Sequence, residues 1–524
     1  MTADKHGFSL TQLTSEKIER VKRDPKYKQL TDEDIAFFKS FLPEKCVLER
    51  DSMSVSEHTK YVCDWYNMFR ANTAVILLPE TTEQVSKILK YCNDQLIAVV
   101  PQSGNTGASG GSIPVFDEII ISTQNMTKIR KFDELRGDLV CDAGCVLQEL
   151  DEHLSQAGFQ VPLDLPARHI CRIGGNIATN AGGIRQMRFG NLHGSIMGLE
   201  VVLSDGSIID NLTTMRKDNA GYHLKNLFLG SEGTLGFITG VSLATAQIRP
   251  AVNVFLIALQ TFEHVVKAYG LARRELPETI AAFEVLDAST VKVVKDQEFQ
   301  IPKGSPFPLE KETHPFYVVM ETAGKDRDIE DLRANRLLKQ LFDKEIILDG
   351  QVARTPDEIE RFWSWRNNVP KAIVQQGPTS IHFDVSLDLP LLYKLVEDTR
   401  AWAIADGMIG RDIVAIYGYG HVGDGNMHLT IPAIREDEAV RTKIDDFVYE
   451  WVAEHKGSGS AEHGIGMMKA AYLSYSKSST IIDNMRKIKN VFDPNGIMNP
   501  YKLFPTKEEE EHGESVRKRD HVGC

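Results

Sequence analysis

Two histidines and a later Glu-His pair carry the most reactive chemistry in this chain. In Tyr417 to Ile431, YGYGHVGDGNMHLTI, His421 and His428 flank a Gly-Asp-Gly turn. On one straight strand residues at that spacing face opposite sides, so the turn at Gly423-Asp424-Gly425 is what brings both imidazoles together. Glu462 and His463 follow in the glycine-bracketed stretch GSGSAEHGIG. Two imidazoles and a carboxylate suit Zn²⁺ or Mn²⁺ with a coordination position open for substrate. The same residues also read as a pair of core histidines and a surface glutamate. Arg366, in FWSWRNNVP, is a candidate carboxylate clamp through its bidentate fork, or one more solvated arginine. No GxSxG, GxxxxGK[ST] or HExxH occurs, which leaves hydrolase and NTPase readings without a nucleophile elbow, a P-loop or a zincin helix.

A second kind of chemistry is carried by backbone. In LIAVVPQSGNTGASGGSIPVF (96–116) a β-branched run feeds a loop crowded with Gly104, Gly107, Gly110 and Gly111, where bare N–H groups can approach a phosphate. A plain cluster of turns is the other reading. The nicotinamide fingerprint must open a helix, whereas here Ile113-Pro114-Val115 follows and Glu118 to Ser122 reads as another strand. Two further glycine-spaced stretches recur, GGNIATNAGG (174–183) and GSEGTLGFITG (230–240). Each is flanked by strands, and together they suggest one large ligand threaded along a domain, the middle stretch pressed edge-on against a flat polar group.

The elements that must hold these stretches follow a βαβ rhythm from Thr73: strand Ala74 to Leu78, helix Thr82 to Asn93 with Val85, Ile88 and Leu89 on one stripe, then the strand that leads into the glycine loop. A strand at Leu139 to Asp142 precedes a helix from Val146 to Gln156 that Gly158 ends. Leu199 to Leu203 with the Asp205-Gly206 turn makes a hairpin, Asp-Gly signalling type I′. Residues 1 to about 60 read as a docking arm in which Ile35, Phe37, Phe38 and Phe41 share a helix face. The loop from Pro302 to Glu312 reads as exposed, and the tail from Lys507, KEEEEHGESVRKRDHVGC, as a solvated, disordered charge run.

At 524 residues the chain exceeds one core, and 42% hydrophobic with 25% charged residues is an ordinary globular balance. The net charge of −13 argues against nucleic acid as a partner. No apolar run approaches a membrane span, and neither a secretory signal nor a clear transit peptide is visible. Seven scattered cysteines without CxxC spacing read as reduced thiols.

These motifs, with VPLDL, RFGNLHGS, MRKDNAGYHLKNLFLGSEGTLGFIT, SAEHGIG and DPNGIMNPYK, resemble the FAD-linked oxidoreductases of the vanillyl-alcohol-oxidase type, over nearly everything from about residue 60 to 503. The resemblance implies an α+β fold. Its parts would be an N-terminal helical arm (1–60), a two-subdomain FAD-binding domain (61–248), an α+β substrate-capping domain (249–455), a small C-terminal helical segment completing the site (456–504) and a tail (505–524). It implies noncovalent FAD lined by Pro101, Gly104, Asn105, Thr106, Gly107, Gly110, Gly174, Gly175, Asn176, Thr179, Asn180, Gly182, Gly183, Glu232, Gly233 and Ile238, with Asn499 near the isoalloxazine. It implies a metal, Zn²⁺ or Mn²⁺, on His421, His428 and Glu462, with His463 as the base and Arg366, His382 and Thr430 at the substrate. The implied reaction is oxidation of D-2-hydroxyglutarate to 2-oxoglutarate. D-lactate or another D-2-hydroxy acid is the alternative, and a flavin-bearing protein without such activity the second. An electron-transfer flavoprotein as acceptor, a homodimer and a mitochondrial location are implied alongside. The chain departs from the family at two substrate positions: His382 stands where the family has Lys, and Thr430 where it usually has Asn. A mostly neutral imidazole weakens the hold on a distal carboxylate.

Overall fold

The computed structural model describes residues 12–296, 307–309 and 313–518. By its internal contacts the chain divides into two units. One comprises residues up to Gly182, 191–248 and 462–512; the other comprises 183–190, 249–461 and the residues from 513. The divide therefore places Glu462 and His463 with the first unit and His421 and His428 with the second.

The first unit has two principal sheets, each with its own core. The predicted βαβ rhythm is present as strand Val75–Leu77, helix Thr82–Gln95 and strand Val99–Gln102. Strand Ile119–Ser122 lies between the two strands and parallel to both. The helix runs two residues past the expected end and stops at Leu96, a non-glycine residue in the left-handed region at φ 57°. The N-terminal arm is woven in rather than laid on: its strand Val47–Glu49 pairs antiparallel with Val75–Leu77. Helix Asp32–Lys39 starts in a capping box from Thr31, buries Phe38 completely and stacks Phe37 on Tyr91 at 3.9 Å.

The second sheet of this unit runs Ile129–Asp133, Asp138–Asp142, Phe237–Ala244, Ile196–Val202, Ile208–Asn211, all antiparallel. Its hairpin is where the sequence put it, but the turn is not type I′. Only Gly206 has positive φ (84°), while Asp205 caps the turn by accepting from Ser207 N at 2.8 Å. The middle glycine stretch opens as a short helix, Ile173–Ala178. One expectation changes. The charged tail forms helix Lys507–Arg517, in which Glu510 pairs with Arg486 at 2.6 Å and Glu509 with Arg20 at 3.2 Å. The loop expected to be exposed lies mostly outside the described residues; Phe307 and Leu309 within it are buried.

The second unit is built on a seven-stranded antiparallel sheet, ordered Asp349–Ala353, Ala251–Leu259, Phe316–Gly324, Ile280–Asp287, Tyr417–His421, Asn426–Ala433, Thr379–Ser386. Helices Pro356–Asn367 and Val369–Val374 join one of its faces, burying Phe362, Trp365, Val369 and Ile373 with Leu286, Tyr417 and Tyr419. Helix Phe262–Glu275 takes the opposite face, with Tyr269 edge-on to Phe283 at 5.2 Å. The six cysteines from Cys46 to Cys171 are free thiols. Among the described residues no helix is long and apolar enough to cross a membrane.

Candidate active site

In the first unit, strand Val99–Gln102 carries Pro101 and ends in the loop of Gly104, Asn105, Thr106, Gly107 and Gly110. No helix follows, as Pro114 predicts. Asn105 sits in the left-handed region at φ 52° and spends its side chain on the loop itself. Its Nδ2 donates to Lys60 O (3.0 Å) and Cys63 O (2.8 Å), and its Oδ1 accepts from Ser112 Oγ at 2.8 Å. A Cβ on Gly104 would lie 2.6 Å from Ile170 O, so only glycine lets these backbones meet. One on Gly175 would strike Ser103 at 2.8 Å. Those glycines answer to protein packing; Gly107, exposed with nothing within 4 Å of its Cβ position, faces open space.

Beside the short helix, buried Asn176 and half-buried Asn180 (φ 48°) each hold a buried Oδ1 without a hydrogen-bond partner. Thr179 Oγ1 donates to Gly175 O at 3.1 Å. Buried polar atoms are normally satisfied, so orphaned amide oxygens beside an open glycine loop fit a polar group such as FAD in that place. Gly182 is buried at the end of the stretch, and Gly183, with φ 72°, belongs to the second unit.

The third glycine stretch carries a carboxyl that binds backbone. Glu232, at φ 53°, accepts from Ile465 N and Gly466 N, both at 2.7 Å. Burial pushes its carboxyl above the usual range, and the two donors pull it back. Ser109 Oγ lies 3.1 Å from both His463 O and Gly464 O, and Met467 N donates to Ser109 O at 3.1 Å. Asn499 Nδ2 donates to Gly111 O (3.0 Å) and Glu232 O (2.7 Å), while its Oδ1 accepts from Lys502 Nζ. Burial brings the Lys502 amine down to about 8. Glu232 and Asn499, expected at the flavin, thus have their polar atoms engaged with the protein. They clasp the first and third glycine stretches to the segment that bears His463. Gly233, against Pro101, and Ile238, buried in strand Phe237–Ala244, complete this wall. His463 Nε2 and Glu462 Oε1 are 3.8 Å apart.

In the second unit, strand alternation gathers the polar residues on one face. Tyr419 is opposite His428 and His421 opposite Asn426, so the two histidines are diagonal neighbours across the turn. Their rings are 5.1 Å apart and nearly perpendicular. The turn is held from outside by Tyr269 OH, which donates to Gly423 O at 2.9 Å. Asp384 pairs across from His428, and their ligand atoms lie within 4.8 Å of one another. Imidazole nitrogens with carboxylate oxygens are the donor set that Zn²⁺ or Mn²⁺ takes, so His428 and Asp384 fit such an ion, while His421 stands outside that group. Ala461 N donates to Asp384 O (3.1 Å) and Oδ2 (3.2 Å), and Glu462 is the next residue along the chain.

Arg366 is not solvated. It is buried, its Nε donates to Glu284 Oε2 at 3.0 Å, and its guanidinium lies 5.1 Å from the Tyr419 ring. Glu284 Oε1 in turn meets His421 Nδ1 at 2.8 Å. His382 and Thr430, the two positions that depart from the family, are cross-strand partners. Their polar atoms stand 3.4 Å apart, longer than an ordinary hydrogen bond, and Tyr419 OH is also 3.4 Å from Thr430 Oγ1. Reading the sequence missed Glu284 and gave Asp384 no role. Glu284 had a signal, a carboxylate set inside the apolar run IAAFEVL; for Asp384 only the strand register supplies the argument.

Two family descriptions match this chain: an FAD binding domain over residues 73–211 and the C-terminal domain of FAD linked oxidases over 248–503. The sequence is 43% identical over 499 residues to the D-2-hydroxyglutarate–pyruvate transhydrogenase of Saccharomyces cerevisiae, covering 94% of this chain and 99% of that one. It is 42% identical over 479 residues to the mitochondrial D-2-hydroxyglutarate dehydrogenase of Danio rerio, covering 91% and 86%. Among solved structures, a 4-ethylphenol oxidase from Gulosibacter chungangensis superposes with TM-score 0.68 at 18% identity, covering 91% of this chain and 99% of that one. An alkyldihydroxyacetonephosphate synthase gives 0.69 at 17%, covering 92% and 88%; these two speak for the fold. With its glycine loops, its two orphaned amides and matches along nearly its whole length, the chain belongs to the FAD-linked oxidases, flavoenzymes that carry out oxidoreduction with FAD.

Proposed function

We propose that this protein oxidises D-2-hydroxyglutarate to 2-oxoglutarate. The observation that carries the reading is the identity of 42% to 43% over more than nine-tenths of the chain with enzymes named for that substrate. When bound, FAD supplies a two-electron acceptor for the hydride on the substrate's C2, and a divalent ion supplies Lewis acidity toward the 2-hydroxyl and its carboxylate. His421, His428 and Glu462 would hold that ion, with Asp384 beside His428 as a further oxygen donor. His463 takes the hydroxyl proton at a ring nitrogen. Arg366, its Nε fixed by Glu284, presents its terminal nitrogens to a substrate carboxylate.

A second reading, a D-lactate or other D-2-hydroxy-acid dehydrogenase, is favoured by the facing of His382 and Thr430. An imidazole beside a hydroxyl replaces a fixed cation at the substrate's far end. The relatives also support a mitochondrial location, an electron-transfer flavoprotein as acceptor is compatible with a flavin site, and a homodimer is our working assembly.

The test is anaerobic mixing of the purified holoprotein with D-2-hydroxyglutarate, D-lactate and their L-isomers, with and without chelator, following the flavin's visible absorbance. Bleaching by D-2-hydroxyglutarate that chelator abolishes is expected. Bleaching by D-lactate alone would transfer the protein to the second reading. A flavin that none of them bleaches would overturn both.

A further inference from the structure

Glu284 sits in strand Ile280–Asp287, a run whose every residue is buried, and its carboxylate is almost completely enclosed. A lone buried carboxylate there is costly unless a partner compensates it. Two partners do. Arg366 Nε donates to Oε2 at 3.0 Å, and His421 Nδ1 lies 2.8 Å from Oε1. Glu284 and His421 are also register partners on adjacent strands, so the backbone ladder itself sets their approach.

A carboxylate accepts and cannot donate at that oxygen, so the proton of the neutral imidazole is held on Nδ1 and the ring's lone pair on Nε2. We propose that Glu284 is a positioning residue for the metal. It selects the tautomer of His421 that can ligate through Nε2 and fixes the ring's plane, and Arg366 is the counter-charge that keeps Glu284 in that place. The proposal rests on the reading that His421 and His428 hold a divalent ion. It adds that the grip on the ion depends on a residue that never touches it. Arg366 then serves in two ways, through Nε toward Glu284 and through its terminal nitrogens toward substrate.

The experiment uses the full-length holoprotein, stripped by chelator and titrated with Zn²⁺ alone against a chromophoric competitor, in wild type, Glu284→Gln and Glu284→Asp. The first variant removes the charge at nearly constant shape. The second keeps the charge facing Arg366 but withdraws it from His421, so it tests the contact even if the first fails to fold. Both are expected to lose about 10- to 100-fold in Zn²⁺ affinity, the usual weight of an outer carboxylate, with flavin content and far-UV circular dichroism unchanged. Wild-type affinity in the variants would overturn the role of Glu284 while leaving the metal reading intact. Failure of the wild type itself to bind Zn²⁺ would overturn the metal reading, and this proposal with it.

Discussion

A histidine that takes a proton must have its ring held and its reactive nitrogen turned toward the substrate. His463 is held through its backbone, since its carbonyl lies within reach of Ser109 Oγ and the residues after it donate to Glu232. Its imidazole is half-buried, with Nε2 3.8 Å from Glu462. If it is the base, His463→Ala removes proton transfer and little else. Flavin reduction by the substrate should slow by about 10²- to 10⁴-fold while the flavin stays bound. Colourless apoprotein from that variant would make His463 a structural residue instead. His463 stood out in the sequence as half of a Glu-His pair between glycines, and the family resemblance alone implied the role of base for it. Glu284 did not, because the pairing that gives it meaning joins residues far apart in the chain, which only strand register brings together.

Among the elements, legibility follows how local the cause is. Strand, glycine loop and strand could be read because Pro114 forbids the alternative on the spot. Helix Ile173–Ala178 could not, because its glycines lower helix propensity and it is made stable by packing that uses them: Gly174 lies against Ala143 and Gly175 against Ser103. The tail misled for the opposite reason. Its charges looked solvated, yet Glu509 and Glu510 meet Arg20 and Arg486 from distant parts of the chain. The clasp built on Glu232 is also an effect of elements, since it ties the third glycine stretch to the segment after His463. Glu232→Ala should leave two buried N–H groups unmet, at about 1–3 kcal/mol each, and loosen that segment. The expected signature is a lower rate of flavin reduction with KM little changed and the flavin spectrum retained. A variant that instead loses flavin and keeps its rate when flavin is restored would make Glu232 a flavin-binding residue and not a clasp.

At the scale of the whole molecule, the two chemistries are laid down in different units. All the glycine loops up to Gly182 and from Gly230 to Gly240 belong to the first, and the His421–His428 turn to the second. Family resemblance gave that plan from sequence because the motifs are contiguous. It set a segment, 456–504, apart from the capping domain; what it could not give was that 183–190 belong to the second unit while their chain neighbours belong to the first. Ligand-induced protection follows from this division, because a ligand slows hydrogen exchange where its own contacts must break for the backbone to open. At free FAD near 100 times its Kd, stabilisation should reach about 2.7 kcal/mol, on the order of a hundredfold in exchange. Hydrogen exchange of flavin-depleted protein should therefore slow on adding FAD in peptides spanning 103–112, 173–182 and 230–236. Zn²⁺ should slow it in 417–431, where each histidine is one strand turn from the other. If FAD protects 417–431 and leaves the glycine loops as they were, the loops are turns and the cofactor is bound elsewhere. If Zn²⁺ protects neither 417–431 nor the segment of Glu462 and His463, the histidines are core residues that happen to face one another.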